Sequence, residues 1–386
     1  MSTKHSKAAA EFLKNKKQAA WHDETLWLVR AKRDRLSKEV PEWEELRNMA
    51  CATKLYSNSH LDELLVEFEN NARANGAHVY WAKDADEYCN IVYNILNQHG
   101  VKHFIKSKSM LAEECELNPF LENKGIEVVE SDLGERILQL MHLKPSHIVL
   151  PAIHIKREQV GELFEREMGT EKGNFDPTYL THAARKNLRQ KFIHAEAAMT
   201  GANFAVASTG EIVVCTNEGN ADMGTSQPKL QIAAFGMEKI VPDRESLGVF
   251  TRLLARSATG QPITTYTSHY RKPREGGELH IIIVDNGRSK ILADQKHIKT
   301  LNCIRCGACM NTCPVYRRSG GYSYTYFIPG PIGINLGMLK APLHYYDNVS
   351  ACSLCYSCSF VCPAKVDLAE QIYLWRQDLD KLGKAD

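Results

Sequence analysis

The sequence lacks several things. It has no run of about 18 apolar residues, which excludes a membrane-crossing helix. Met1-Ser2-Thr3-Lys4 leads into polar, charged residues, so no secretory leader is expected. The expected location is cytoplasmic, with peripheral docking on the inner face of the membrane left open. Net charge is scarce: 48 basic and 46 acidic residues leave +2. That balance argues against a global attraction to nucleic acid or an anionic surface. The Lys- and Arg-rich stretch at 4–38 interleaves acidic residues and reads as a solvated helix. None of the fifteen histidines falls in an H-E-x-x-H pair. His142, His147 and His154 are split by Pro145 and Pro151 and read as isolated, satisfied side chains. No G-x-G-x-x-G fingerprint or flavin motif is present, so a Rossmann dinucleotide site is not supported.

Cysteine, in contrast, is plentiful. Twelve are present. Cys51, Cys89, Cys115 and Cys215 stand alone. The other eight follow C-x₂-C-x₂-C-x₃-C-P twice, at Cys303, Cys306, Cys309, Cys313 and at Cys352, Cys355, Cys358, Cys362. In a reducing compartment such clusters mean metal rather than disulfides. Structural zinc calls for separated ligand pairs, not for a third and fourth cysteine at these offsets followed by proline. The spacing fits two [4Fe–4S] clusters, with three thiolates from one motif and the fourth from the other. One cluster is expected on Cys303, Cys306, Cys309 and Cys362, the other on Cys352, Cys355, Cys358 and Cys313. Gly307 and Ala308 leave room for backbone N–H groups to approach the sulfurs.

The 386 residues divide by texture. Residues 1–70 read as helices. Residues 71–293 alternate short apolar runs with helical patterns, the mark of a largely parallel α/β sheet. Strands are expected at 78–81, 103–105, 126–129, 147–150, 202–207, 211–215, 231–240, 263–267 and 279–284. Helices are expected at 84–97, 109–123, 158–168, 179–199 and 244–258. Residues 294–386 form a mainly α-helical di-cluster unit, with 319–337 read as an ordered Gly/Pro/aromatic loop. That loop serves equally as a shield for the clusters or a surface for a redox partner. A closing helix carries Leu368, Ile372, Trp375, Leu379 and Leu382 on one stripe.

The polar segment 200–222 is the remaining candidate site. Thr209, Gly210, Asn217, Gly219 and Asn220 fall at predicted strand ends, where open α/β sheets bind ligands. Ordinary tight turns explain the same residues. His194 and Glu196 precede this segment as candidates for the same cleft. Arg185, Lys186, Arg189 and Lys191 read as a solvated face, one of them suited to holding a carboxylate.

Residues 195–220, with Phe235-Gly236-Met237-Glu238-Lys239-Ile240-Val241-Pro242 behind them, resemble the lactate-utilization (LUD) domain. With the cysteine motifs and Pro329-Gly330-Pro331-Ile332-Gly333, the chain from about Trp43 to Gln371 resembles the lactate utilization protein B (LutB/LldF) family. The resemblance implies an α/β fold of the sugar-phosphate isomerase and CoA-transferase type. It implies the iron–sulfur subunit of a complex that oxidises L-lactate to pyruvate. The implied partners are lactate utilization proteins A and C (LldE and LldG types) and a downstream electron acceptor. It also implies a catalytic acidic residue, which here falls on Glu218. Many members continue beyond the second cysteine motif, a departure that leaves the assembly open. Two alternatives remain: a LUD domain that is itself catalytic on another 2-hydroxy acid, and a redox sensor or scaffold.

Overall fold

The computed structural model describes residues 4–381 and 383. Residues 1–3, Leu382 and residues 384–386 lie outside the described residues. Ten strands are described: β1 (His78–Ala82), β2 (His103–Lys106), β3 (Glu127–Glu130), β4 (Ala197–Gly201), β5 (Phe204–Val206), β6 (Glu211–Thr216), β7 (Leu230–Gly236), β8 (Ile240–Val241), β9 (Tyr266–Tyr270) and β10 (Glu278–Val284). Six form a sheet in the order β1-β10-β7-β4-β2-β3, and every pairing in it is parallel. The inner strands β7 and β10 are continuous runs of buried apolar residues, as a sheet covered on both faces requires. One face packs on Val92, Phe104 and Leu117, the other on Leu65, Phe68 and Phe235. A second sheet, β8-β5-β6-β9, packs against the helix Arg244–Thr259.

The N-terminal helices do not stand apart. His22 Nδ1 lies 2.9 Å from the Arg317 carbonyl oxygen. Arg33 donates to the Val361 carbonyl at 2.9 Å, and Arg47 donates to the Cys362 carbonyl at 2.9 and 3.1 Å. They therefore brace the cysteine-bearing region, whose own core holds Tyr316, Ile332, Met338 and Ile372.

Six expectations need correction. The strand expected at 231–240 is β7 and β8, parted by a 3-10 turn at Met237–Lys239, and the helix expected at 109–123 is two, Met110–Glu114 and Leu117–Asn123, parted at Glu116 (φ 53°). Residues 147–150 are a turn, not a strand. The His147 imidazole accepts the backbone N–H groups of Val149 and Leu150, each at 3.0 Å, and so curls the chain around itself. The helix expected at 179–199 ends at Ile193, and residues 197–201 are β4. The Glu196 carboxylate accepts the N–H groups of Lys102 and His103 and pins β4 beside β2, so tertiary context overrides the helical preference of Ala-Ala-Met. The strand expected at 263–267 lies a few residues later, as β9 at Tyr266–Tyr270. The Gly/Pro loop at 319–337 contains a helix, Gly330–Lys340, with Pro331 in its first turn. It is buried nearly all round, so it shows no amphipathic period. A Cβ on Gly333 would sit 1.7 Å from the Ile328 carbonyl oxygen, which is why glycine stands there.

Candidate functional site

Both cysteine motifs fold alike. Each runs through two residues in the left-handed region, one on each side of the middle cysteine: Arg305 (φ 60°) and Gly307 (φ 76°), then Leu354 (φ 53°) and Tyr356 (φ 60°). This curls the backbone around its own sulfurs. Arg305 N lies 3.4 Å from Cys303 Sγ, and Leu354 N 3.3 Å from Cys352 Sγ. Each fourth cysteine begins a new turn, with Tyr316 N 3.5 Å from Cys313 Sγ and Val366 N 3.4 Å from Cys362 Sγ. The short helices Ala308–Thr312 and Ser357–Val361 pair across the centre, Thr312 bonding Ser357 at 3.1 Å.

The chain fits iron–sulfur clusters on three grounds. A small cavity of about 20 Å³ is lined by Cys303, Cys306, Cys309 and Cys362, with Gly307 and Ala308 in its wall and apolar Ile148, Ile332 and Val366 around it. Cys362, 53 or more residues from the other three, is thus brought to them; Cys313 is the electrostatic neighbour of Cys352 and Cys355. Zinc with Zn–S bonds of about 2.3 Å would hold its sulfurs about 3.8 Å apart. Among the described residues, no three cysteine sulfurs lie within 4.8 Å of one another; the one His/Cys/Asp/Glu trio that close is His78, Glu278 and His280. Burial pushes the Cys306 thiol up to about 12, and Cys313 and Cys362 up to about 11. Such thiols become ligands when bound cations supply the charge that removes their protons.

The two loops differ in setting. Cys306, Cys309 and Cys362 are buried, whereas Cys355 is exposed and Phe360, beside it, is 76% exposed.

The first loop also closes a cleft of about 260 Å³ along the carboxyl edge of the parallel sheet. Its floor is the strand ends: Ser107 after β2, Asp132 after β3, Gly201 of β4, Gly236 of β7 and Arg288 after β10. This is where open α/β sheets place ligands. Arg305 and Cys306 form the opposite wall. At this end Arg288 forks onto Glu114 at 2.9 Å and reaches Glu238 at 2.5 Å. A Cβ on Gly236 would meet that second pair at 2.2 and 2.3 Å, so glycine permits it. Arg288 and the neighbouring cations hold Glu238, despite its burial, down to about 2. Burial lowers both Lys54 and Lys239 to about 8.

At the other end stand Lys108, Asp132 and Glu218. Glu218 accepts the Leu133 N–H at 3.0 Å, and burial raises its pKa. Burial, with the charge of Glu135 adding, pushes Asp132 up to about 8. Asp132 accepts from Lys108 N at 2.6 Å and from the Asn220 side chain at 2.7 Å.

Of the candidates read from sequence, Asn217 and Glu218 line the cleft, and Asn220 supports it through Asp132. Gly219 (φ 67°) caps the helix Asn220–Ser226 against Tyr266. Thr209 and Gly210 sit elsewhere, in a turn against the helix Leu61–Ala74; Asn75 donates to the Thr209 carbonyl, and a Cβ on Gly210 would meet Ala72 N at 2.3 Å. His194 and Glu196 lie at the amino edge of the sheet, away from the cleft. The histidines read as satisfied include His147, bonded to Asn311 at 3.0 Å, and His154, bonded to Ser146 at 2.6 Å. Sequence reasoning missed Asp132, Lys108, Arg288 and Arg305 as cleft residues. Glu238 and Lys239 lay inside the quoted Phe235–Pro242 segment, which was the available signal.

A parallel sheet with a cleft at its carboxyl edge, closed by one of two paired cysteine loops, defines an iron–sulfur α/β protein. The LUD domain family matches residues 65–291, and the 4Fe-4S dicluster domain family matches residues 299–366. Lactate utilization protein B of Geobacillus thermodenitrificans is 43% identical over 357 residues, covering 90% of this chain and 75% of that protein. Its counterpart in Bacillus pumilus is 44% identical over 357 residues, with the same coverage. An uncharacterized electron transport protein, YkgF, of Escherichia coli is 41% identical over 362 residues, covering 92% and 76%. The chain belongs to the lactate utilization protein B family, with a LUD domain and a 4Fe-4S dicluster domain that takes two [4Fe–4S] clusters. No described helix is long and apolar enough to cross a membrane.

Proposed function

We propose that this chain is the iron–sulfur electron-transfer subunit of a multi-subunit L-lactate dehydrogenase complex that oxidises L-lactate to pyruvate. The observation that carries it is the placement of the two cysteine loops: one abuts a cleft, the other reaches the surface. Cys303, Cys306, Cys309 and Cys362 would hold the inner cluster, and Cys352, Cys355, Cys358 and Cys313 the outer. Bound there, the clusters supply one-electron transfer. The chain's own residues do the rest. Arg305 N and Leu354 N approach the sulfurs and stabilise their negative charge. Ile148, Ile332 and Val366 exclude water from the inner site. Tyr356 and Phe360 offer an exposed aromatic surface beside the outer one. The partners are lactate utilization proteins A and C and a downstream acceptor. All twelve cysteines are free, in keeping with a reducing, cytoplasmic location.

The test is anaerobic: iron and sulfide analysis, then EPR after adding L-lactate with and without those partners. About eight irons and a reduced-cluster signal that needs the partners support the reading. The same iron content with no lactate-dependent signal in either case sinks the lactate assignment.

A second reading makes the LUD cleft itself catalytic on a 2-hydroxy acid. It is favoured by Glu218, a carboxylate in the cleft whose raised pKa suits proton transfer. Glu218→Gln that leaves lactate oxidation by the assembled complex unchanged, with both clusters intact, refutes it.

A further inference from the structure

The end of the cleft that meets the first cysteine loop carries more positive than negative charge. Four cations, Lys54, Lys239, Arg288 and Arg305, surround two carboxylates, Glu114 and Glu238. Arg288 is saturated by both carboxylates. The Lys54 ammonium donates to the Glu238 carbonyl oxygen. Two cations are left over. Lys239 makes no side-chain hydrogen bond and no ion pair among the described residues. Arg305 reaches Glu238 only at 3.7 Å, and its Nη1 is buried with no hydrogen-bond partner. The Cys303 thiol is a charge partner of both, and a buried donor left without a partner, as Arg305 Nη1 is, is costly unless an acceptor completes it.

We propose that Lys239 and Arg305 form the carboxylate-binding end of a site for a small 2-hydroxy or 2-oxo acid, seated in the cleft against the first cysteine loop. This deepens the second reading above and rests on the cleft accepting such an acid. Three observations point to a carboxylate. Lys239 lines the cleft and does not line the cysteine cavity. Arg305 lines both, and its planar fork suits a carboxylate. Ala202, Phe235 and Ala255 give the cleft apolar walls suited to a short carbon chain. The rival account is that Lys239 and Arg305 serve only to balance the thiolates of the inner cluster.

The experiment uses the purified holo-chain without partners. Oxamate, an unreactive acid of this class, is titrated by calorimetry, with inorganic phosphate as the comparison anion. In parallel, the wild-type chain is labelled with an amine-reactive ester with and without oxamate, and Lys239 is read by mass spectrometry. The expected result is saturable oxamate binding, weaker phosphate binding and oxamate-dependent protection of Lys239. Lys239→Gln should weaken oxamate about tenfold or more, and Lys239→Arg should restore most of it, at full iron content. No oxamate binding by the wild type, or unchanged labelling of Lys239, overturns the proposal. So does phosphate binding more tightly, or Lys239→Gln binding as the wild type does. Failure here with lactate-dependent cluster reduction in the assembled complex removes this site but leaves the relay. Oxamate binding without that reduction leaves the site and removes the relay.

Discussion

The inner and outer cysteine loops share one backbone course and differ in everything around it. Both place left-handed residues either side of the middle cysteine, but the inner loop has glycine at the second place and the outer loop has Tyr356. A Cβ on Gly307 would come within 3.1 Å of the His147 ring, so the packed side demands glycine. Tyr356 faces solvent, and its hydroxyl bonds Glu370 at 3.0 Å. The inner loop closes the cleft, and the chain that brings it its fourth cysteine is braced by Arg33 and Arg47, which donate to the Val361 and Cys362 carbonyls. The outer one is held by Arg376, which donates to the Cys352 and Val349 carbonyls. The same motif is thus made a buried junction in one place and an exposed terminal in the other. The lesson is that ligand spacing sets the loop, and the neighbours set its job.

The sharpest way to break this comparison is to remove one cysteine from each loop. Cys306→Ser and Cys355→Ser should each lower iron toward about four per chain. The inner variant should also lose roughly 10 °C of Tm, because its site joins three packed regions; the outer one should lose much less. Equal losses, read by iron analysis and thermal melting, would mean that the two sites are equally structural. Next, Gly307→Ala should destabilise by about 1–2 kcal/mol through the left-handed backbone and the His147 contact, whereas Tyr356→Gly should be close to neutral. Chemical denaturation of the two variants checks this.

The cleft adds a pH test. Asp132 is pushed up to about 8 in the fold, from an ordinary value of 3.8. The folded chain then holds a proton that the unfolded chain has released. Asp132 therefore makes stability fall as pH rises from about 4 to about 8. Asp132→Asn should flatten that slope, since the amide oxygen still accepts from Lys108 N and Asn220. Urea melts across this range would show an unchanged slope if the residue were ionised throughout. The smallest stability effect belongs to Phe360→Ala: at 76% exposure it should change unfolding free energy by less than about 0.5 kcal/mol. Its effect should appear instead as slower partner-dependent electron transfer, measured by stopped-flow bleaching of the clusters.

Much of the molecule could be read from its residues, for identifiable reasons. The cysteine offsets are a local signal, since a loop that must wrap a cubane needs its thiolates at those steps. The buried strands β7 and β10 announce themselves as apolar runs. Glu218 and Asn217 came from a local loop pattern, and they do meet in the cleft. Thr209 and Gly210 shared that pattern, but the turn they make is filled by the helix Leu61–Ala74, more than 130 residues earlier. The helix Gly330–Lys340 was hidden because burial on all sides erases the period that reveals a helix.

The sequence by itself determined the cofactor type, the α/β class and the family, because each depends on spacing or composition along the chain. Only the tertiary structure decided what stands next to what. It set Arg305 and Cys306 against the sheet's carboxyl edge and left Cys355 at the surface. It paired Asp132 with Asn220 and left Lys239 without a hydrogen bond or ion pair among the described residues. These are contacts between residues tens to hundreds of positions apart. No local propensity encodes them, because they arise when hydrophobic burial brings separate segments to one place.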